Sequence, residues 1–403
     1  MKNIFQLGIK LWKSFRLIFL IAIVFSYAMF QGGFVSWFLF YSFLPFALYA
    51  LYLVFVPLQS FSVQRRLSKW EYYAHDDITV TIQVKRNHSF PLLFIIVEDV
   101  VSPLMQEKVI DNKNKRIIYL GFKKECSYQY EIRNLPRGEH VFPSVRIMTG
   151  DLLGMIEKES VIKRKETILV FPSYQEFVNL PASRILEQGK LLMGGHAQRE
   201  TTTIVGIREY QPGDRFSWIN WKASAKRAGM VTKEFEHRTS TDVVIVLDST
   251  PTAIFERMVS FTASLGQNLL YQGIQIGFIA VNEDPVSMPI QGGESSRQQL
   301  FYHLAKIQPN VSKDFDRVIG EEQLLMRKRA AFMLVTSQLS ESLIEAARNW
   351  SVRRCPVILF VLETEQGFAS SSQASLKLMA KSYGILVIFI HEGQFSAGLM
   401  EVN

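Results

Sequence analysis

Two long apolar runs open the chain, and shorter runs follow them. Leu17 to Phe30 is almost wholly apolar, and Trp37 to Leu58 contains no charged residue. Because about 20 apolar residues span a bilayer as a helix, the second run is long enough, and the first becomes so if it begins near Phe15. Gln31-Gly32-Gly33 between them is an uncharged turn signal. The pattern predicts a two-helix transmembrane hairpin within residues 1–62.

Basic residues flank both ends of this hairpin. They are Lys2, Lys10, Lys13 and Arg16 before it, and Arg65, Arg66 and Lys69 after it. Positive residues stay on the cytoplasmic side, so we expect a multi-pass cell-membrane protein whose soluble domains are cytoplasmic. A cleaved signal peptide is disfavoured because a second span follows at once. A buried hairpin of a soluble core is disfavoured by the length of the uncharged runs.

From Asp77 to Phe171 the pattern changes to short alternating runs separated by polar turns. Such a pattern is typical of an antiparallel β-sandwich, which we assign to residues 63–172. The predicted strands are Ile78 to Val84, Pro91 to Val101, Ile117 to Phe122, Tyr128 to Ile132 and Val141 to Ile147.

Residues 241–403 alternate between apolar strands and amphipathic helices, which predicts a doubly wound α/β domain with a mostly parallel sheet. The first strand, Val243 to Leu247, precedes a helix from Ile254 to Gln272, and Val286 to Ile290 is an expected antiparallel edge. A later helix through Ile307 would be capped by Ser295 or Ser296. The other predicted strands are Ile276 to Val281, Ala331 to Val335, Val357 to Leu362 and Leu386 to Ile390.

Composition narrows the class of protein. The chain has 403 residues, of which 48% are hydrophobic and 20% charged, so it is neither disordered nor a single small domain. The formal net charge of +8 suits an anionic lipid surface as well as nucleic acid. The two cysteines, Cys126 and Cys355, have no metal-ligand or disulfide spacing.

Residues 173–240 contain the most specific motif, which runs from Gly206 to Arg238. It resembles the signature of the bacterial family known as domain of unknown function fifty-eight. The matching residues are Arg208, Glu209, Tyr210, Pro212, Gly213, Asp214, Trp221, Ala223 and Ala225. Asn220 replaces a usual Asp and Lys226 replaces a usual Arg, so a carboxylate–guanidinium pair between these positions would be weakened here.

Asp248-Ser249-Thr250-Pro251-Thr252 follows the first strand of the α/β domain. This loop resembles the first loop of a von Willebrand factor A domain, where DxSxS holds a divalent cation through oxygen ligands. The resemblance implies a Mg or Mn site at Asp248, Thr250 and Thr252. Val335-Thr336-Ser337-Gln338 lies where that pattern has a Thr-Asp pair, and the Asp is absent, so we expect weak binding. The alternative is that Asp248 only caps the following helix.

These patterns together favour a membrane-anchored cytoplasmic interaction or scaffold protein rather than an enzyme, since no Walker A loop, G-x-S-x-G elbow or H-E-x-x-H motif occurs. The family resemblance implies a MoxR-type AAA+ ATPase as partner, because the family tends to be encoded beside such ATPases. One alternative is a metal-dependent hydrolase that uses the Asp248 loop. The other is nucleic-acid binding through the basic motif segment, which the neighbouring acidic residues disfavour.

Overall fold

The structure is a computed structural model that divides into two compact units, residues 1–171 and 172–403. It describes residues 2–87, 91–176, 182–192, 203–212, 214, 216–227, 229–236, 242–281, 286–309, 315–316, 319, 330–353, 355–363 and 371–391.

The first unit opens with two helices, α1 (Lys2–Gln31) and α2 (Phe34–Phe55). They are joined by Gly32 and Gly33, whose φ angles of 62° and 87° favour glycine. The Phe25 ring of α1 contacts Trp37 and Phe40 of α2, at centroid distances of 6.2 and 5.6 Å. The two helices therefore pack against each other.

The helix bounds differ from the predicted ones. α1 extends far upstream of Phe15, since the charged residues before it are good helix formers. α2 ends at Phe55 rather than Leu58 because Pro57 disfavours the helical region for Val56, which is extended at ψ 121°. Within the described residues, α2 alone is both long and apolar enough to span a bilayer, and Phe15–Gln31 is a shorter apolar segment.

The strands of the first unit form two sheets, ordered β1-β3-β6 and β2-β8-β7-β4-β5, with a short helix α3 (Pro103–Gln106). All pairs are antiparallel except β2 with β8. The strands are β1 (Phe61–Leu67), β2 (Tyr72–Tyr73), β3 (Ile78–Arg86), β4 (Ile95–Val100), β5 (Lys115–Ile118), β6 (Glu125–Ile132), β7 (Gly138–Gly150) and β8 (Glu157–Phe171).

The five predicted strands of this region correspond to β3 to β7, whereas β1, β2 and β8 were missed. The pattern does not predict β8 because seven of its 15 residues are charged and its first half is largely exposed. β1 escaped because its inward positions are Phe61, Val63 and Arg65, and the inward arginine breaks the apolar alternation. The prediction that Arg65 flanks the membrane is wrong, because its side chain lies in the protein core.

Arg65 links the two sheets through a buried polar network. Its guanidinium makes two hydrogen bonds to the carboxylate of Asp99, from Nε at 3.0 Å and from Nη2 at 2.5 Å, and Glu166 lies 3.3 Å from Nη1. The Tyr130 hydroxyl donates to Asp99 Oδ2 at 2.6 Å. Burial, followed by the charge of Asp99, holds the pKa of Tyr130 above its usual range, so the phenol remains a donor.

The second unit is built on a six-stranded sheet of order β13-β12-β11-β14-β15-β16, parallel except for β13. The predicted antiparallel edge strand is therefore confirmed. The strands are β11 (Val243–Asp248), β12 (Ile276–Val281), β13 (Val286–Gln291), β14 (Ala331–Thr336), β15 (Val357–Leu362) and β16 (Ile385–Ile390).

Helices cover both faces of this sheet. Phe261 of helix α6 (Phe255–Tyr271) packs on Phe360, with 5.2 Å between ring centroids. Trp350 of helix α8 (Glu341–Val352) packs at 4.4 Å on Phe332, on the opposite face. The predicted cap at Ser295 or Ser296 is wrong, because α7 begins at Glu294 after Gly293. The helices are α4 (Ala182–Leu192), α6 (Phe255–Tyr271), α7 (Glu294–Lys306), α8 (Glu341–Val352) and α9 (Ser371–Ser382).

The signature segment forms a separate β-ribbon before the sheet. β9 (Thr203–Glu209) and β10 (Val231–Glu236) pair antiparallel, and a short helix, α5 (Trp221–Arg227), lies between them in sequence.

Candidate functional site

Asp248 is the last residue of β11 and the centre of a polar cluster at the carboxyl edge of the sheet. Only 5% of the surface of Asp248 is exposed to solvent. Carboxylate oxygen Oδ1 accepts hydrogen bonds from the Thr250 backbone N–H at 3.0 Å and from the Thr250 hydroxyl at 2.6 Å. The loop thus folds back on the strand end, as the Asp and hydroxyl spacing predicts for Thr250.

The other carboxylate oxygen of Asp248 is bound from the neighbouring strand. Thr336, the last residue of β14, donates its hydroxyl to Asp248 Oδ2 at 2.8 Å. In the sequence, Thr336 is only part of a departure from the A-domain pattern. The contact follows from the register of β11 and β14. Leu247 pairs with Val335, so the next residues of the two strands, Asp248 and Thr336, must be neighbours.

Two further hydroxyls in this loop are buried. Among the residues that the structure describes, the side-chain oxygens of Ser249 and Thr252 have no hydrogen-bond partner. Thr252 was predicted to lie beside Asp248, but the described contacts to Asp248 come from Thr250 and Thr336. Buried hydroxyls without a partner are costly, so a ligand atom that they could bind would be stabilising. We call Asp248, Ser249, Thr250, Thr252 and Thr336 the strand-end cluster.

The donor set of the strand-end cluster fits a hard cation only weakly. It offers one carboxylate and several neutral hydroxyl oxygens, which are ligands that Mg²⁺ accepts together with water. No group of three or more His, Cys, Asp and Glu residues that could hold a metal occurs in the described part of the chain. The extra acidic or histidine ligands that a metal-dependent hydrolase would need near Asp248 are therefore missing from these residues.

A second polar group follows the ends of β15 and β16, and no local sequence pattern predicts it. The Glu363 side chain accepts from Gln373 Nε2 at 2.7 Å, and its other oxygen lies 3.6 Å from His391 Nδ1. Arg257 of α6 donates to the Glu363 carbonyl at 2.8 Å. Glu363 and His391 could be identified only from the topology, because each residue directly follows a strand of the parallel sheet.

The signature residues mainly build the β-ribbon. Asp214 accepts from Arg208 Nη2 at 2.6 Å, from the Gln211 N–H at 3.0 Å and from the Thr232 hydroxyl at 3.4 Å. The hydrogen bond from Arg208 lowers the pKa of Asp214 below its usual range. This carboxylate ties the turn after β9 to both strands, so its role in the geometry is structural.

Asn220 has a role other than pairing with a basic residue. Its side-chain oxygen accepts from the Ala223 N–H at 3.2 Å and caps α5, a task that Asn performs as well as Asp. Ser224 donates to the Asn220 carbonyl at 3.0 Å and accepts from the Val231 N–H, which joins α5 to β10.

The remaining signature residues lie mostly at the surface. Trp221 is 66% exposed, Glu209 and Lys226 are also exposed, and the Tyr210 ring stacks on Phe216 at 6.3 Å. Trp218 lies in a separate 3₁₀ turn, Phe216–Trp218, that precedes α5. Gly213 lies outside the described residues.

Comparison with known proteins places this segment in context. A family model described as "Protein of unknown function DUF58" matches residues 206–366, from the signature ribbon through β15. The uncharacterized protein YeaD of Bacillus subtilis (strain 168) is 38% identical over 338 residues, which cover 83% of this chain and 85% of YeaD.

Two solved structures are more distant. The VWA domain of SpRpn10 is 14% identical and aligns over 41% of this chain and 96% of its own, with a TM-score of 0.27. The bacterial hydrophobin BslA is 12% identical over 27% of this chain and 95% of its own, with a TM-score of 0.17. The signature motif, the family model and the long alignment with YeaD agree, and the chain belongs to the DUF58 family of proteins of unknown function.

Proposed function

We propose that this chain is a membrane-anchored interaction protein that binds a partner through the carboxyl edge of its α/β sheet. The observation that carries the proposal is the strand-end cluster, in which the buried Asp248 carboxylate accepts from the hydroxyls of Thr250, in the loop after β11, and Thr336, at the end of β14, beside two hydroxyls that have no partner among the described residues. Ligands of open α/β sheets bind at this edge. We further propose that the sheet is a von Willebrand factor A-like domain and that the two sheets of the first unit form a β-sandwich.

The anchor is the α1–α2 hairpin, with both soluble parts on the cytoplasmic side. Its support is the uncharged length of α2 and the basic residues on both flanks. Arg65 is buried in an ion pair with Asp99. The positive charge after α2 is therefore supplied by Arg66 and Lys69, whose side chains are exposed.

Cysteine labelling in intact cells tests this topology. In a chain whose Cys126 and Cys355 are replaced by serine, Gln31→Cys should react with a membrane-impermeant thiol reagent. Trp70→Cys, at a fully exposed position of the strand-rich unit, should react only after lysis. The opposite pattern would invert the orientation, and retention of neither variant in carbonate-washed membranes would remove the anchor.

The strand-end cluster would hold Mg²⁺ or Mn²⁺ through Asp248, Thr250 and Thr252, with water completing the shell, while the partner supplies a further oxygen ligand. A single protein carboxylate makes this binding weak. The first partner that we propose is a MoxR-type AAA+ ATPase, which rests on the family resemblance.

Affinity purification from detergent-solubilised membranes tests the partner. Asp248→Asn keeps the shape of the side chain but removes its charge, and Asp242→Asn at the other end of β11 is the matched control. We expect the ATPase to accompany the parent chain and Asp242→Asn, but not Asp248→Asn. If the parent chain recovers no such ATPase, the partner is wrong, and if Asp248→Asn recovers it equally, the site is wrong.

Titration calorimetry of the same three proteins tests the ion. Heat of Mg²⁺ or Mn²⁺ binding at millimolar concentrations should be present in the parent chain and in Asp242→Asn, and absent from Asp248→Asn. No heat in any of them would make the strand-end cluster a metal-free contact surface.

A further inference from the structure

The turns at one end of the strand-rich unit lie beside the last turns of α2. The Leu93 N–H donates to the Tyr49 hydroxyl at 3.0 Å, and Lys158 Nζ donates to the carbonyls of Val54 and Val56 at 2.6 and 2.8 Å. The Leu92 backbone in turn makes two hydrogen bonds with Gly121. We call residues 91–94, 119–124 and 151–156 the helix-side turns.

Strand directions show that these turns share one end of the unit. β3 ends and β4 begins there, β5 ends and β6 begins there, and β7 turns into β8 there. The Thr149 hydroxyl donates to the Phe94 carbonyl at 2.7 Å, which joins the last of these turns to the first. The opposite end carries the connections after β1, β4 and β6.

The helix-side turns expose large apolar side chains to their surroundings. The exposed residues are Leu93, Tyr119, Phe122, Leu152 and Leu153, and Tyr119 and Phe122 are exposed by 81% and 73%. They form no part of the core of the unit, and Phe55 at the end of α2 is exposed beside them by 73%. A concentration of aromatic and leucine side chains around a helix end is typical of a membrane interface.

The length of α2 indicates how deep these turns lie. Its 22 residues extend about 33 Å at 1.5 Å per residue, close to the roughly 30 Å of a hydrocarbon core. Tyr49, which Leu93 contacts, lies about 9 Å before the end of the helix on the same scale. If α2 spans the bilayer over its length, a turn that is hydrogen-bonded to Tyr49 cannot lie in bulk water beyond the end of the helix.

The charge of these turns complements an anionic surface. Lys123 and Lys124 are exposed, whereas Glu125 is paired with Lys85 at 3.1 Å and Asp151 accepts from the backbone N–H groups of its own turn. A cavity of about 200 Å³ at the same place is lined mainly by apolar residues from the end of α2, the segment that follows it and Leu92, with Arg86 as the one charged lining residue among those described. An anionic phospholipid offers both an apolar and a negatively charged part to such a surface.

We propose that the helix-side turns lie in the headgroup layer of the bilayer, where they contact anionic phospholipid through their apolar side chains and through Lys123 and Lys124. This inference rests on the proposed membrane anchoring. It makes the strand-rich unit a body seated on the membrane around α2 rather than a domain on a free tether.

Spin labels report the depth directly. We would place nitroxide labels at Phe122→Cys and Leu152→Cys, and at the matched exposed positions Trp70→Cys and Leu104→Cys at the opposite end, in the full chain lacking its two native cysteines. Power saturation in phosphatidylglycerol nanodiscs should find the first two labels more accessible to oxygen than to a water-soluble nickel complex. The two control labels should show the reverse.

The two levels of the proposal fail differently. If carbonate washing strips the full chain from membranes, the anchoring itself is wrong. If the chain is retained but labels 122 and 152 match labels 70 and 104, anchoring stands and the seating of the turns is overturned. Replacing phosphatidylglycerol with phosphatidylcholine, or Lys123 and Lys124 with glutamine, should make labels 122 and 152 shallower, and unchanged depth would refute the charge contribution.

Discussion

Replacing Asp99 with alanine should be among the most damaging single changes in the first unit. Its carboxylate accepts from Arg65 of one sheet strand and from Tyr130 of another, and the side chains of Arg65 and Asp99 are both 0% exposed. The arginine also lies 4.8 Å over the Phe142 ring. Alanine would leave a guanidinium buried without its main counter-ion.

The magnitude follows from burial. Removing one partner of a buried ion pair costs about 3–5 kcal/mol, whereas an exposed pair contributes about 0–1 kcal/mol. Glu166, 3.3 Å from Arg65 Nη1 and 29% exposed, offsets part of the loss, while the Tyr130 hydroxyl loses its acceptor. For a region of this size about 1 kcal/mol corresponds to 2–4 °C, so we expect Tm to fall by about 6–20 °C.

Thermal unfolding of the full chain in detergent, followed by near-ultraviolet circular dichroism, measures this effect. Glu125→Ala is the control, because its pair with Lys85 is exposed on both sides and should shift Tm by no more than about 4 °C. A combined variant with Arg65→Met, Asp99→Leu and Tyr130→Phe should recover most of the stability, since apolar replacement of a buried pair is often neutral. If Asp99→Ala melts like the control, the network does not hold the sheets together.

Three smaller changes probe the second unit. The Ser340 hydroxyl oxygen caps α8 by accepting from the Leu343 N–H at 3.1 Å. Ser340→Ala should lower the free energy of unfolding by about 1 kcal/mol, measured by thermal unfolding, and an unchanged stability would mean that another group caps the helix. Gly266→Ala would push a methyl group into the buried Leu300 side chain and should cost about 1–3 kcal/mol, an effect that Leu300→Val should relieve. Asp214→Ala should loosen the signature ribbon, so the amides of Thr232 and its neighbours should exchange faster while those of β11 are unchanged. Ribbon amides that exchange as slowly as in the parent chain would contradict a structural role for Asp214.

The elements that the sequence predicted correctly are those whose signal is local. β11 and β14 are buried on both faces, so each is a continuous apolar run that needs no knowledge of its neighbours. β3 alternates buried and less buried residues along its length, and α2 is a long run without charge. Asp248 was identifiable for the same reason, because it is the first polar residue after an apolar strand.

Tertiary structure decided the partners of the polar residues. Arg65 contradicts the apolar alternation of β1, and only the fold brings Asp99 and Tyr130 to it from other strands. Thr336 reaches Asp248 because β14 is the neighbour of β11, although 88 residues separate them in the chain. Hydrophobic periodicity is set by each residue's own burial, whereas a polar contact depends on which strands become neighbours, and strand order has no local trace in the sequence.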